Sequence, residues 1–334
     1  VNRVIINEQY KSCFEGKKMN LKDIRADETL QAGSDYKKQN NEINICFSSD
    51  KKYAKFLALT IVSLLTNKNA DDNLCIYILD GGLSQKDKQK LEELKKISDF
   101  KLNFINFDIE KFSCCPVHKN EHISLAAYYR LLISEFLPNL DKAVYLDCDI
   151  DIKTSLKELY ETDINDFYFG AVLDVDSPKI CKRLELDEYF NSGVLLLNLK
   201  KFRETKFSEN IFGWIEKNKS ILKLHDQDVL NLYCKGEIKK LDNKWNAQQK
   251  FHKNTKGAAV LHYVGRYKLD FMLNSIQYIS KTHYTKDIFL TFLRKLLEKM
   301  YKTFVYWIFR VRNKDKNTKE ITIIGFKFIK KRNK

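Results

Sequence analysis

Lys142-Ala143-Val144-Tyr145-Leu146-Asp147-Cys148-Asp149-Ile150 is the stretch whose reading decides the fold. Its apolar run, Ala143 to Leu146, is short, β-rich and free of periodic polar breaks, as in a buried strand of an α/β sheet. The run ends on two carboxylates one residue apart. On an extended backbone residues i and i+2 leave the same face, which predicts that Asp147 and Asp149 converge. Two hard oxygen donors at the carboxyl end of a strand suit Mg²⁺ or Mn²⁺ with its bound phosphates. Open α/β sheets also bind ligands at that edge. A strand ending in a solvated acidic turn would show the same residues, so the other segments have to decide.

Upstream, Ile43–Ser48 alternates apolar and polar residues and predicts a first strand, followed by a polar turn and an apolar helix over Ala54–Thr66. Leu74–Leu79 predicts a second strand, stopped by Asp80-Gly81-Gly82. Ser84-Gln85-Lys86-Asp87 forms a capping box that opens a charged helix to about Ser98. Leu102–Phe107 is a third strand, and a helix over Leu125–Phe136 precedes the Asp-Cys-Asp strand. Such alternation implies right-handed crossovers and a mainly parallel sheet. Downstream come strands at Phe169–Leu173 and Phe190–Leu199, the latter entered through an Asn191-Ser192-Gly193 corner. Helices follow at 206–218 and from Asp226 to about Cys234, then a short strand at Val260–Tyr263.

Three Pro and 11 Gly in 334 residues leave no room for long linkers or collagen-like repeats. Net charge is +15, but residues 286–334 hold 15 Lys/Arg against 4 Asp/Glu, so +11 sits in the tail and only +4 in the body. Eight cysteines without a C-x-x-C pair read as reduced thiols rather than a disulfide framework. The first 42 residues are polar with no apolar signal core. The longest uncharged run, Phe56–Asn67, has twelve residues, against about 20 for a membrane span. The expectation is a soluble or peripheral cytoplasmic protein. Its predicted parts are an irregular leader (1–42), an α/β domain (43–285) and a basic aromatic tail (286–334).

His118-Lys119-Asn120-Glu121-His122 matches a zinc-peptidase pattern that requires a helix, but its polar, Cys-rich flanks read as a loop with solvated histidines. No P-loop or G-x-G-x-x-G is present. His262 ends a strand and precedes Gly265 and Lys268, residues suited to a nitrogen ligand, close backbone approach and phosphate contact. A core histidine before a turn is the plainer reading. His225-Asp226-Gln227-Asp228 opens a helix, where carboxylates also favour the helix dipole.

In order, these segments resemble the retaining nucleotide-sugar glycosyltransferases of family eight, within them the bacterial lipopolysaccharide galactosyl- and glucosyltransferases. The resemblance runs from Ile43 to about Lys268. It is carried by Phe47-Ser48-Ser49-Asp50 with Tyr53, His122-Ile123-Ser124 leading to Tyr129-Arg130-Leu131, and Tyr145-Leu146-Asp147-Cys148-Asp149. It continues through Phe190-Asn191-Ser192-Gly193-Val194, Asp226-Gln227-Asp228-Val229 and His262-Tyr263-Val264-Gly265 with Lys268. The resemblance implies an α/β fold: a single Rossmann-like nucleotide-sugar transferase domain with a mainly parallel mixed sheet.

It further implies a UDP-hexose donor, with Tyr53 on the uracil and Ser48 and Asp50 near base and ribose. Asp147, Asp149 and His262 would hold Mn²⁺ (or Mg²⁺), and Gly265 and Lys268 would close over the diphosphate. Arg130, Asn191, Asp226 and Gln227 would surround the sugar, with Gln227 and Asp226 as the catalytic pair. The chain departs from the family pattern at Lys52, at Leu269-Asp270 after the lysine, and at Cys148 inside the Asp-x-Asp.

Expected partners are a UDP-sugar, a lipid-linked glycan acceptor and, through the basic C-terminal membrane-associating tail, an anionic membrane surface, which places the protein on the inner face of the cell membrane. Nucleic acid is not expected, because the cations are packed into the tail rather than spread over a groove. A self-glucosylating glycogenin-like enzyme and a non-catalytic basic binding protein are the competing readings.

Overall fold

The computed structural model describes residues 42–107, 112, 115–116, 125–249, 255–265, 267–313, 318–323 and 326–331. Expectations for the leader before Glu42, for His118–His122 and for the Ile123-Ser124 segment lie outside them. The described residues fall into two compact units divided between Thr282 and His283.

In the first unit, β1 (Glu42–Ser49), α1 (Ala54–Asn67), β2 (Asn73–Asp80), α2 (Gln85–Glu92) and β3 (Lys101–Ile105) alternate as the residue pattern predicts. The capping box forms: Ser84 Oγ accepts the Asp87 N–H (3.2 Å) and Asp87 Oδ2 accepts the Ser84 N–H (3.2 Å). Leu125–Leu132 is a 3₁₀ helix, and only its continuation, α3 (Ile133–Phe136), is α-helical. The expected helix is therefore present in a tighter winding. There Tyr128, Arg130 and Leu131 are all buried, so packing on several sides rather than one apolar stripe sets the local conformation.

Next come β4 (Lys142–Leu146), β5 (Ile150–Ile152), α4 (Lys157–Glu161), β6 (Phe169–Leu173), α5 (Ser177–Leu184) and β7 (Phe190–Asn198). They are followed by α6 (Leu199–Glu204), α7 (Phe207–Asn218), α8 (His225–Tyr233) and β8 (Ile238–Lys240). A 3₁₀ turn at Asn243–Asn246, β9 (Ala247–Gln248), β10 (Val260–His262) and α9 (Lys268–Asn274) complete the unit, with a last 3₁₀ turn at Ser275–Tyr278. The main sheet has seven strands in the order β3-β2-β1-β4-β7-β6-β8. Only β7 runs against its neighbours, pairing antiparallel with both β4 and β6. β1 and β7 are buried along nearly their whole length; in β7 this shows as the apolar run after Gly193, whereas β1 keeps an apolar–polar alternation although both its faces are covered. Asn191-Ser192-Gly193 proves to lie inside β7, beside a register shift between β6 and β7, rather than at a corner before it.

A second, three-stranded sheet (β5-β10-β9) receives the chain directly after the main sheet. β4 ends at Leu146 and β5 starts at Ile150, so Asp147-Cys148-Asp149 is a turn joining two sheets. The two carboxylates are thus not on the extended strand that the i, i+2 argument assumed. The joint is held from below by α1, where Thr60 Oγ1 donates to the Cys148 carbonyl (2.7 Å) and accepts the Ile150 N–H (3.3 Å). The six cysteines described are all free thiols.

The second unit holds α10 (His283–Ile308) and an antiparallel sheet of β11 (Phe309–Asn313), β12 (Thr318–Ile323) and β13 (Phe326–Lys331). The uncharged segment Thr303–Phe309 covers the end of the 26-residue α10 and the first residue of β11. β12 and β13 pair antiparallel, with Ile321 opposite Phe328.

Candidate active site

Three elements deliver Asp147, Asp149 and His262 to one point. The Asp147 N–H donates to the Gly193 carbonyl of β7 (2.8 Å), and the Tyr263 N–H just beyond β10 donates to the Asp149 carbonyl (3.0 Å). The β5–β10 register sets His262 opposite Ile150, next to Asp149. One ligand atom from each residue lies within 4.8 Å of the other two. His262 Nε2 stands 3.8 Å from Asp147 Oδ2 and 3.6 Å from Asp149 Oδ1, too long for hydrogen bonds and suited to a shared cation between them. The opposite ring atom, Nδ1, lies 3.0 Å from Asn246 Oδ1. A Cβ on Gly193 would overlap the imidazole and stand 3.0 Å from Asp147 Oδ2, so the cradle needs glycine there. Two carboxylate oxygens and an imidazole nitrogen are a donor set for Mn²⁺ or Mg²⁺. These residues fit the metal that the resemblance implies.

Lys268, at the start of α9, forms an ion pair with Asp149. Burial alone would raise the Asp149 carboxyl, but the neighbouring His262 ring and the paired Lys268 ammonium outweigh it and hold it below the usual carboxylate range. The Lys268 ammonium also lies 5.0 Å from the Tyr53 ring centroid. Gly265 just before it takes a left-handed φ of 70°, where a side chain would be strained.

The joint opens on a cavity of about 540 Å³ lined at one end by Ser48, Asp50 and Tyr53, and elsewhere by Arg130, Asn191, Asp226 and Gln227. Gly265 and Lys268 line it as well. All the candidate residues named from the sequence therefore border one cavity. Asp50 has a structural duty too: its Oδ1 accepts the Lys52 and Tyr53 N–H groups ahead of α1 (2.8 and 3.0 Å).

Arg130 is buried between two carboxylates, Nη2 to Asp147 Oδ1 at 2.9 Å and Nε to Asp226 Oδ2 at 3.0 Å. Its Nε–H is directed at the Ala127 carbonyl, Nη1 donates to the Ser192 carbonyl, and the guanidinium lies 4.2 Å from the Tyr145 centroid. Burial raises the Asp226 carboxyl to about 6, even though Arg130 pulls it down. Asp228 is occupied elsewhere. It accepts both contacts of Arg183 Nη2 (2.8 and 2.9 Å), the Tyr189 hydroxyl (2.6 Å) and the N–H groups of Lys223 and Leu224 (2.7 and 2.9 Å).

Gln227 Oε1 accepts the Ser192 N–H (2.9 Å) and lies 3.2 Å from Asn191 Nδ2, while its Nε2 donates to Asp174 Oδ2 (3.2 Å). Asp174 and Asn246 were missed from the sequence. Asp174 was detectable, because Asp174-Val175-Asp176 repeats at the end of β6 the strand-then-Asp-x-Asp pattern found after β4. Asn246, in a short turn remote from any motif, had no such mark.

A family model described as glycosyl transferase family 8 matches residues 44–269. The chain belongs to that family. Over 210 residues it is 35% identical to a Haemophilus influenzae protein described as a glycosyltransferase, a match covering 61% of this chain and 63% of that one. The chain thus spans less than two thirds of that relative's length. It is 28% identical over 246 residues to an Escherichia coli lipopolysaccharide 1,2-glucosyltransferase, covering 68% of this chain and 72% of that protein. The structure matches the galactosyltransferase LgtC in complex with donor and acceptor sugar analogues. That match has a TM-score of 0.61 and 25% identity, over 73% of this chain and 96% of LgtC. The α/β fold with a mostly parallel mixed sheet is shared with it.

Asp226 gives a pH signature. Between its ordinary 3.8 and about 6 the native state holds this proton more tightly than the unfolded chain, so its contribution to stability falls as pH rises through that window. Chemical denaturation should show wild type losing about 2 kcal/mol relative to Asp226→Asn between about pH 4.5 and pH 7. Parallel pH profiles would contradict the raised value.

Proposed function

We propose that the protein is a retaining, metal-dependent hexosyltransferase moving galactose or glucose from a UDP-sugar to a glycan acceptor of the lipopolysaccharide type. The observation that carries this reading is the Asp147, Asp149 and His262 cluster on the wall of the cavity that also holds Tyr53 and Gln227. Asp147, Asp149 and His262 would hold Mn²⁺ or Mg²⁺, which supplies Lewis-acid stabilisation of the diphosphate's charge when bound.

The residues themselves divide the work. Tyr53, Ser48 and Asp50 receive the nucleoside. Lys268 meets the diphosphate, exchanging its Asp149 contact for phosphate oxygens. Arg130, Asn191 and Asp226 line the hexose. Retention by double displacement needs a carboxylate nucleophile. Asp228 has its oxygens committed to Arg183, Tyr189 and two backbone N–H groups. Asp226 stands paired with Arg130. Both observations favour departure and attack on the same face through an oxocarbenium-like pair. In that route Gln227 is the polar group beside the positive charge, and a leaving-group oxygen takes the acceptor's proton. A covalent intermediate on Asp226 is the competing route.

The limits 43–285 and 286–334 remain our division of the chain into catalytic domain and tail. No helix among the described residues is long and apolar enough to cross a membrane. On α10, Leu290, Leu293, Leu297, Met300 and Tyr301 are 37–69% exposed at helical spacing, interleaved with Arg294, Lys295, Lys299 and Lys302. Apolar and cationic residues on one helix suit an anionic headgroup region, which would hold the enzyme beside a lipid-linked acceptor on the inner face of the cell membrane.

Asp149→Asn should abolish Mn²⁺-dependent UDP binding in calorimetry while the circular dichroism spectrum stays native. Undiminished binding would remove Asp149 from the metal site. Co-sedimentation with anionic liposomes should weaken as salt rises and vanish when residues 288–334 are removed. Equal binding by the shortened chain would locate the contact elsewhere.

A further inference from the structure

We infer that Asp174 is a positioning residue that sets the direction of a buried hydrogen-bond chain ending on the metal-facing histidine, with a branch to Gln227. The inference deepens the metal-dependent transferase reading and rests on it. A carboxylate oxygen accepts hydrogen bonds and an amide NH₂ only donates, so each link dictates the next. Asp174 Oδ1 accepts the Asp176 N–H (2.8 Å), and Oδ2 accepts Asn191 Nδ2 (2.9 Å) and Gln227 Nε2 (3.2 Å).

With its NH₂ turned to Asp174, Asn191 presents Oδ1 on the other side, where the Gly193 N–H (3.0 Å) and Asn246 Nδ2 (2.8 Å) donate to it. Asn246, its NH₂ directed at Asn191, is left facing His262 Nδ1 with an oxygen at 3.0 Å. An amide oxygen can only accept, so the imidazole proton sits on Nδ1. In the neutral ring Nε2 then offers its lone pair toward Asp147 and Asp149, the tautomer a metal ligand needs.

Two backbone donors agree with the direction Asp174 imposes, since a peptide N–H cannot be reversed. The Gly193 N–H donates to Asn191 Oδ1 and the Ser192 N–H (2.9 Å) to Gln227 Oε1, each the end that Asp174 leaves facing it. Asn191, Asn246 and His262 are 4%, 1% and 3% exposed, so water has little access to substitute for a lost link. The same carboxylate thereby orients both the metal-binding histidine and the sugar-facing glutamine, although it is not itself placed as a metal ligand.

The test uses the full chain without sugar nucleotide, so that any direct contact of Asp174 with the donor cannot intrude. Asp174→Asn keeps the shape but adds a donor, which releases the direction of the chain. Free Mn²⁺ followed by electron paramagnetic resonance should show about tenfold weaker binding, the lower end of what loss of a ligand's supporting partner costs. In metal-free protein labelled at histidine, the His262 carbon shifts, assigned by difference from His262→Gln, should move from the Nδ1–H tautomer toward a mixture.

Adding Asn246→Asp to Asp174→Asn reinstates a pure acceptor against His262 and should restore both readouts. Unchanged Mn²⁺ affinity and an unchanged tautomer in Asp174→Asn would overturn the inference. So would failure of Asn246→Asp to rescue. Should Asp174→Asn not fold, Asn246→Ala cuts the chain one link later and is expected to give the same two changes, with wild-type readouts again overturning the inference. If wild type itself binds no Mn²⁺, the metal reading fails, and the tautomer spectra still decide whether the chain is directed as described.

Discussion

The structure depends on one crossing of the backbone, from the main sheet to the small one at Asp147-Cys148-Asp149. Asp147 is tied through its backbone N–H to β7 and Asp149 through its backbone carbonyl to the residue after His262. Two sheets and a histidine strand therefore meet at a single turn, and the turn has no freedom to separate its carboxylates. Thr60 of α1 fixes the middle of the turn from beneath. Cys148, whose thiol is directed at the Ser48 carbonyl (3.2 Å), fills the space between. Burial pushes that thiol far above its ordinary range, so it packs and does not react.

Around this joint the protein concentrates charge where water is scarce. Arg130, Asp147, Asp226, Asp149 and Lys268 form alternating contacts from the sugar-facing side to the Tyr53 side. Buried ion pairs of this kind contribute little net stability, yet removing one partner typically costs about 3–5 kcal/mol because the other is left unpaired. Their value lies in order: Arg130 cannot relax toward solvent, so the carboxylates it touches keep their spacing. Asp149 is held ionised by the Lys268 ammonium and the His262 ring beside it, and Asp226 is the member for which burial prevails.

Much of this was legible in the residues. Apolar runs marked the buried strands, Ser84 with Asp87 marked a helix start, and the carboxylates after Leu146 marked the site. Their convergence followed from the fold and not from the strand geometry first assumed, because the backbone turns at Asp147 before the i, i+2 alternation can act. The 3₁₀ winding at Leu125–Leu132 was hidden for a related reason: packing on several sides leaves no single apolar stripe to read. Asn246 was invisible because its role exists only through what it touches, His262 on one side and Asn191 on the other. Asp174 carried the same signature as Asp147 and was passed over for lack of a second clue. The tail's composition announced a basic aromatic element, while its helix and three strands are set by pairings that composition does not encode.

The central claim is that this cavity handles a sugar nucleotide with the help of a divalent metal. It is tested most directly by slow donor hydrolysis, which needs no acceptor. Purified protein is incubated with a panel of UDP-sugars, with and without Mn²⁺, and released UDP is measured. The account predicts UDP release from UDP-galactose or UDP-glucose that requires the metal and is lost in Asp149→Asn. Release that is independent of both metal and Asp149, or the absence of release and of binding for every UDP-hexose, would contradict it.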